Sequence, residues 1–373
     1  MARERFSLKD HLFNRSRVSY LAGLLAASIP QFDAARFESE VMGEMLDLEL
    51  KQRIAHIARV LANHLDPDFR KAAGQILRSL PPPLDPDRDD GDFGDFIFAP
   101  FGDFVAERGL DDYETAMSLI RQLTMRFSME GPVRLFIEAE PERTLDRFAT
   151  WARDDHYHVR RLVSESTRPA LPWAPRISLA IAAPLPLLDM LHADTTRYVT
   201  RSVANHLNDI SKADPRLVIE TLQKWRGLGI QKPSELDWMS RHALRTLVRR
   251  GSPDAMQVLG YSIEPEVGAD IIEITPNLTA GDALEFVVSV SARADEQLIV
   301  DYVIGFVKKN GSINSKTFRL GRIDLPAGGT RILRKRHPLR SDATTYKLYP
   351  GRHTLTIVAN GTVLARTEFD LIC

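Results

Sequence analysis

Hydrophobic and polar positions follow two different periods along this chain. Up to about residue 260, apolar side chains recur every three or four positions, which is the period of amphipathic helices. Beyond that point, apolar and polar residues alternate in short runs that are separated by Asn-Gly, Gly-Gly and Pro-Gly pairs. We therefore predict a multidomain chain, with an all-α domain over residues 1–260 and an all-β domain over residues 262–373.

The β region contains seven predicted strands within about 105 residues, which favours an immunoglobulin-like sandwich without its disulfide. The predicted strands are Ile271–Thr275, Leu284–Val290, Leu298–Val307, Lys316–Leu320, Thr330–Lys335, Gly351–Val358 and Val363–Leu371.

Basic residues are concentrated in one interval of this β region. Between Val303 and His353 there are twelve Lys or Arg residues, and only Asp324 and Asp342 oppose them. Such a surface fits a phosphate backbone, although a basic face that is simply solvated is the alternative. The predicted DNA contacts in this interval are Arg334, Lys335 and Arg336.

The helical half contains arginines at a regular spacing. Arg121, Arg161, Arg201 and Arg241 are 40 residues apart. Each is accompanied by a second predicted helix, and these helices are Pro141–Arg153, Leu185–His192, Pro215–Arg226 and Pro253–Leu259. A helix pair every 40 residues is typical of HEAT-like solenoids, although chance spacing in a helical bundle is an alternative. In a solenoid, equivalent positions line one concave surface. The predicted polar wall consists of Arg161, Glu165, Arg168, Arg201, Asn205, Asn208, Arg241 and Arg245.

One segment of this wall, residues 151–173, has an unusual arrangement of charge. Its apolar residues share one helical face, while Arg161, Glu165 and Arg168 follow the opposite, exposed face. Asp154 or Asp155 is the predicted N-cap. A carboxylate between two guanidinium groups, with an indole at Trp173 close behind, is not typical of a plain solvated surface.

Composition narrows the classes of protein. The chain has 373 residues, a net charge of −1 and one cysteine, so we predict neither a disulfide framework nor a cysteine-rich metal site. The charged N-terminus has no apolar signal core, and no run is long enough to cross a membrane. We therefore expect a cytoplasmic protein.

His156 and His158 point apart on a helix, so no metal site is predicted. A proline-, aspartate- and glycine-rich stretch, Pro81–Asp95, is predicted to be a loop.

Two sequence blocks carry a family resemblance. They are Arg126-Phe-Ser-Met-Glu-Gly-Pro-Val-Arg-Leu-Phe-Ile-Glu138 and Val159-Arg-Arg-Leu-Val-Ser-Glu-Ser-Thr-Arg-Pro-Ala-Leu-Pro-Trp173. With these blocks the helical half resembles the AlkC/AlkD-like family of HEAT-repeat DNA glycosylases, on the AlkC side. Some AlkC members also carry a C-terminal immunoglobulin-like domain, which matches residues 262–373 in position and class.

The resemblance implies a monofunctional enzyme of base excision repair that acts at the bacterial nucleoid. Its substrate would be duplex DNA with cationic N-alkylated bases, 3-methyladenine first and 3-methylcytosine as a further candidate. Neither a cofactor nor a partner subunit is implied, so we expect a monomer. No lysine lies in the two blocks, so water is the expected nucleophile.

The same resemblance implies that Glu130, Glu165 and Trp173 lie at the lesion. A carboxylate there would stabilise the sugar as it becomes an oxocarbenium-like cation, and would orient the attacking water. Which of the two glutamates orients the water stays open. Arg161 and Arg168 are candidates for contacting phosphates or for orienting Glu165. The alternative function is a non-catalytic HEAT-repeat scaffold that binds DNA or a protein partner and releases no base.

Overall fold

Helices precede strands in the computed structural model, which describes residues 7–87, 93–340 and 347–372. The predicted order, a helical region followed by a β-sandwich, is confirmed. Residues 88–92 of the predicted Pro81–Asp95 loop and the predicted acidic residue Asp342 lie outside the described residues. Within the described ranges, none of the helices combines the length and the apolar character needed to cross a bilayer.

Many of the helices begin at a side chain that accepts a hydrogen bond from the first turn. Asn14, Asp33, Asp68 and Asp112 each accept from the backbone N–H three residues further on, which satisfies an otherwise unpaired donor. The α-helices are α1 Leu8–Leu12, α2 Arg15–Ser28, α3 Ala34–Met45, α4 Leu50–His64, α5 Phe69–Ser79, α6 Ala99–Arg108, α7 Tyr113–Thr124, α8 Val133–Ala139, α9 Pro141–Trp151, α10 Tyr157–Ser166, α11 Leu185–Leu191, α12 Arg197–Ile210, α13 Pro215–Leu228, α14 Pro233–Ala243, α15 Arg245–Arg249 and α16 Pro253–Val258. A short 3-10 helix, Phe96–Phe98, precedes α6.

Helix α10 carries Arg161 and Glu165, and α7, α9, α11 and α12 all pack against it. The predicted N-cap, Asp154 or Asp155, is wrong. His156 is the N-cap, and its side chain accepts a hydrogen bond from the backbone N–H of His158. Asp154 instead forms a salt bridge with Arg121 at 2.6 Å and accepts a hydrogen bond from the backbone N–H of His156 at 2.9 Å.

The strands form two sheets that face each other across an apolar core. They are β1 Val267–Ile274, β2 Asn277–Thr279, β3 Ala283–Ala292, β4 Glu296–Val307, β5 Ile313–Leu325, β6 Thr330–Pro338, β7 Gly351–Ala359 and β8 Thr362–Ile372. One sheet has the order β1-β3-β6 and the other β2-β8-β7-β4-β5. The core consists of alternate side chains such as Val288, Tyr302 and Ile357. Strand β2, which pairs in parallel with β8, is absent from the seven predicted strands.

The chain divides into two compact units. The first comprises residues 1–213 and 224–242, and the second comprises residues 214–223 and 243–373. The first unit contains α10 and the helices around it, and the second contains both sheets with α15 and α16. The residues predicted at the lesion therefore all belong to the first unit.

Candidate functional site

Five alternating charges connect α12 to the turn in front of α8. At the α12 end, Arg168 lies 2.7 Å from Asp209 and also 2.5 Å from Glu165. Arg161 then lies 3.8 Å from Glu165 and 3.6 Å from Glu130. We call this row, Asp209–Arg168–Glu165–Arg161–Glu130, the charge ladder. It brings together both glutamates that the sequence singled out and joins them through Arg161.

Most of the charge ladder is buried, which corrects the prediction of an exposed stripe. Arg161, Glu165 and Arg168 are only 7%, 6% and 8% exposed. The reason is that α12 packs on the polar side of α10, so both faces of α10 are covered. Burying a charge is expensive unless it is paired, and here each charge has a partner of opposite sign.

The pairing fixes the ionised forms within the ladder. Burial alone would raise the pKa of Glu165, but attraction to Arg161 and Arg168 outweighs it and holds that pKa below its ordinary value. The Ser202 hydroxyl also donates to Glu165, at 2.6 Å. Burial likewise opposes the charge on Arg161, but Glu130 and Glu165 raise its pKa above the ordinary value. Both groups therefore remain charged at neutral pH.

Glu130 is the member of the ladder that reaches solvent, with a side chain that is 23% exposed. It accepts a hydrogen bond from Ser128, whose hydroxyl oxygen accepts from Arg161 Nη1 at 2.6 Å. The turn that carries Glu130 packs closely on α6 at Gly102. A Cβ atom at Gly102 would lie 2.6 Å from Pro132 Cγ and 2.7 Å from Met129 Sδ. A side chain at Gly102 would therefore collide with the turn that carries Glu130.

Trp173 is exposed and has an uncommon backbone conformation. It is 69% exposed, and its φ of 66° lies in the left-handed region that non-glycine residues rarely adopt. The Lys51 ammonium group donates to its carbonyl oxygen at 2.5 Å. Trp173 lies in the segment 168–175. Arg134 on α8 holds both ends of this segment by donating hydrogen bonds to the carbonyl oxygens of Arg168 at 2.9 Å and Pro175 at 2.7 Å. Strain of this kind, held by surrounding contacts, is typical of functional sites.

Trp173 and Glu130 line the same pocket, which has a volume of about 340 Å³. Two further charged residues line it, Lys51 on α4 and Asp103 on α6, and neither was among the residues predicted from the sequence. Burial, reinforced by repulsion from Glu107, raises the pKa of Asp103 to about 6. The apolar part of the lining includes Leu50, Ile54, Phe96, Phe127, Met129, Pro132, Leu135, Leu171 and Pro172. We call this the Trp173 pocket.

A second pocket of about 350 Å³ contains the other glutamate. Its lining residues are Phe93, Arg161, Glu165, Tyr198, Arg201, Ser202 and Asn205. Arg161 belongs to this lining and also pairs with Glu130, so it connects the two pockets. The Arg161 guanidinium lies 4.8 Å from the centre of the Tyr198 ring. Of the predicted wall, Arg201 and Asn205 thus lie together with Glu165.

The other predicted wall residues lie elsewhere. Asn208 is 2% exposed, so it is part of the protein interior and not of a surface. Arg241 is exposed near the end of α14, and Arg245 is the first residue of α15, in the second unit.

In the second unit, the three basic residues predicted to contact DNA lie on β6 and point to two sides. Arg334 and Arg336 are exposed and lie beside Glu273 at 3.9 Å and Glu285 at 3.0 Å. Lys335 points to the opposite side, with its ammonium group 5.8 Å from the Tyr302 ring centre. The basic interval is therefore partly neutralised by glutamates from β1 and β3, which the charge count along the sequence did not include. In the described parts of the chain, no group of three or more metal-binding side chains is close enough to hold an ion.

Three comparisons with known proteins each found a similar chain. Residues 270–373 match the family model described as "Uncharacterised protein YhaZ, C-terminal Ig-like domain". The chain is 29% identical over 365 residues to protein YhaZ of Bacillus subtilis (strain 168), covering 96% of this chain and 98% of that protein. It also superimposes on the Pseudomonas fluorescens alkylpurine DNA glycosylase AlkC, solved with DNA that contains an abasic site analog. That match has a TM-score of 0.85 and 31% identity, and covers 99% of this chain and 100% of the other.

The last match extends over both the helical region and the β-sandwich. Agreement over essentially the whole of both chains confirms the resemblance seen in the two sequence blocks. The chain belongs to the AlkC family of DNA glycosylases.

Proposed function

We propose that this protein hydrolyses the N-glycosidic bond of cationic N-alkylated bases in duplex DNA. 3-Methyladenine is the first candidate lesion, and 3-methylcytosine is the second. The observation that carries the proposal is the Trp173 pocket, in which an exposed aromatic ring and the carboxylates of Glu130 and Asp103 line one cavity. An aromatic face and a carboxylate both attract a planar cation. The similarity to an alkylpurine DNA glycosylase supports the same reading.

The leaving base does not have to be protonated by the protein. An alkylated base already carries a positive charge, so it departs with the bonding electron pair as a neutral molecule and needs no proton. Positive charge develops instead on the sugar, where a nearby carboxylate stabilises it. Water then adds to C1′ of the sugar and loses a proton, which a carboxylate can accept. The reaction needs a fixed, ionised carboxylate and no metal-bound nucleophile.

Glu130 is our candidate for the carboxylate that faces the sugar. It lines the Trp173 pocket and retains solvent exposure, whereas both oxygens of Glu165 are engaged by Arg168 and Ser202. We assign Glu165 a positioning role. It holds Arg161, and Arg161 in turn holds Ser128 and Glu130. The sequence left the choice between the two glutamates open, and the exposure of Glu130 supports Glu130.

Duplex DNA would be held by basic residues outside the ladder. Arg201 and Asn205 in the second pocket, and Arg241 on α14, are our candidates for phosphate contacts in the first unit. Arg334 and Arg336 are candidates in the second unit, since both are exposed. Their glutamate neighbours would reduce the attraction to phosphate without removing it.

The direct test is to incubate the protein with methylated duplex DNA and analyse the released bases by chromatography. We expect release of methylated bases by the wild type. Glu130→Gln should lower the single-turnover rate by roughly 10²–10³-fold, the range for removing one transition-state stabiliser, while duplex affinity stays nearly unchanged. Glu220→Gln is a matched control, because it makes the same chemical change at a glutamate that pairs with Arg216 at the surface and lines neither pocket.

A wild type that releases no base, and binds normal and methylated duplexes equally, would contradict the proposal. It would favour the alternative of a scaffold that binds without catalysis.

A further inference from the structure

Asp103 is the least compensated carboxylate in the Trp173 pocket. Glu130 has Arg161 and Ser128 as partners. By contrast, Asp103 has neither a hydrogen-bond partner nor a salt-bridge partner among the residues that the structure describes. It projects from α6, a helix otherwise rich in buried apolar residues, into a cavity that is mainly apolar.

The charged groups around Asp103 do not neutralise it. On its own helix Glu107 repels it, and this repulsion adds to burial in raising its pKa to about 6. Lys51 on α4 attracts it from a distance, but the Lys51 ammonium group donates to the Trp173 carbonyl oxygen. Glu130, on the turn before α8, lines the same pocket with a further negative charge. A cation in this pocket would therefore find an acceptor whose charge is not yet satisfied.

An unsatisfied carboxylate of this kind destabilises the fold. Folding raises the pKa of Asp103 from 3.8 to about 6. The contribution of Asp103 to the free energy of unfolding is therefore most favourable below pH 3.8, and it is lost as pH rises to about 6. At neutral pH the ionised group therefore opposes folding. A carboxylate that opposes folding and faces an open pocket fits a role in binding better than a role in packing.

We propose that Asp103 is a specificity-determining residue of the Trp173 pocket, where its carboxylate makes the pocket prefer cationic over neutral planar rings. The inference rests on the proposed function, because the cationic ring would be the alkylated base. Trp173 would bind any planar ring through its face, whereas Asp103 would add attraction only for a charged one.

The pocket can be tested without catalysis by using small permanent cations. The probe is 1-methylnicotinamide, a planar heteroaromatic cation, and its neutral partner is nicotinamide. Binding to the full-length protein is measured by isothermal titration calorimetry at pH 7.5. We expect the wild type to prefer the cation. Asp103→Asn should weaken cation binding by roughly three- to tenfold and leave nicotinamide binding unchanged, as for loss of one partly screened charge.

The dependence on pH supplies a second readout. The charge of 1-methylnicotinamide does not titrate, so a loss of affinity as pH falls through about 6 would report protonation of Asp103. Glu107→Gln is the matched control, since Glu107 is exposed on the same helix and does not line the pocket. That variant should keep the preference at pH 7.5 and shift the midpoint to lower pH. Asp103→Asn should lose the step altogether.

Several results would overturn the inference. They are equal binding of both probes by the wild type, binding of neither probe, or a folded Asp103→Asn variant that keeps the preference and the pH step. Thermal melts show whether the variant is folded. The melting temperature of Asp103→Asn should be higher than that of the wild type at pH 7.5 and about equal to it near pH 3.8. Failure of the proposed function looks different, since it would be an absence of base release by the wild type, whatever the probes show.

Discussion

Substitution of the two glutamates of the charge ladder should have different effects on stability and on activity. Glu165 is buried between two guanidinium groups, and removing one partner from a buried ion pair costs about 3–5 kcal/mol. Gln at this position keeps an acceptor for Ser202, so we expect the lower end, about 3 kcal/mol, for Glu165→Gln. Glu130 is partly exposed and 3.6 Å from Arg161, so Glu130→Gln should cost only about 0.5–1 kcal/mol.

These free energies convert into a measurable difference in melting temperature. For a cooperative unit of roughly 150–250 residues, a range that includes the first unit, 1 kcal/mol corresponds to roughly 2–4 °C. Glu165→Gln should therefore melt roughly 6–12 °C below the wild type, and Glu130→Gln roughly 1–4 °C below it. For the rate of base release we expect the opposite order. When the rate is measured under single turnover, well below both melting temperatures, Glu130→Gln should be slower than Glu165→Gln.

The pH dependence of stability adds an independent check. Pairing lowers the pKa of Glu165 below its ordinary value of 4.5, so its stabilisation is fully present above that pH and is lost as pH falls. The difference in melting temperature between the wild type and Glu165→Gln should therefore shrink in acid. Glu220→Gln is the control, because Glu220 forms an exposed pair with Arg216. If Glu165→Gln melts like the wild type, or is the slower folded variant, the reasoning from burial is refuted.

Three further perturbations follow from single features of the structure. Gly102→Ala places a Cβ 2.6 Å from Pro132 Cγ, so it should displace the turn of Glu130 and lower the rate of base release, with little change in duplex affinity by fluorescence anisotropy. Burial lowers the pKa of His206 from 6.5 to about 4, so the wild type should lose stability as pH falls from 6.5 to 4. His206→Gln should lose less stability over the same range, as measured by urea titrations. Arg334→Gln with Arg336→Gln should reduce the salt slope of duplex binding by up to about two, whereas Lys335→Gln, on the other side of β6, should change it less.

Local periodicity predicted most of the elements, because helices and strands are set by neighbouring residues. The helices predicted to begin at Pro141, Pro215 and Pro253 begin there, since proline suits the first turn. The predicted turn at Asn360-Gly361 is found between β7 and β8, where both residues have positive φ. Strand β2 was missed because three residues carry no readable alternation. The HEAT-like repeat remains a prediction from the arginine spacing.

Tertiary packing explains why the candidate site was only partly predictable. The helical period correctly placed Arg161 and Glu165 on one face of α10, but it could not indicate that α12 covers that face. The resemblance supplied Glu130 and Trp173, which line one pocket. Asp103 carried no signal, because a single aspartate in an amphipathic helix is usually solvated. It is enclosed because helix α4, the turn that carries Glu130 and residues 171–175 all line the same cavity.

The order of charges suggests why the ladder ends at a pocket. Lys212 extends the ladder at its outer end, where it lies 2.7 Å from Asp209 and is partly exposed. From Lys212 to Glu130 the sign of the charge alternates at every step. The row is therefore neutral as a whole, but its Glu130 end is negative and lines the Trp173 pocket. A cationic base, or the sugar as it becomes cationic, would occupy the next position in this alternation. We expect the protein to be organised in advance for that charge, because the ladder does not have to rearrange to receive it.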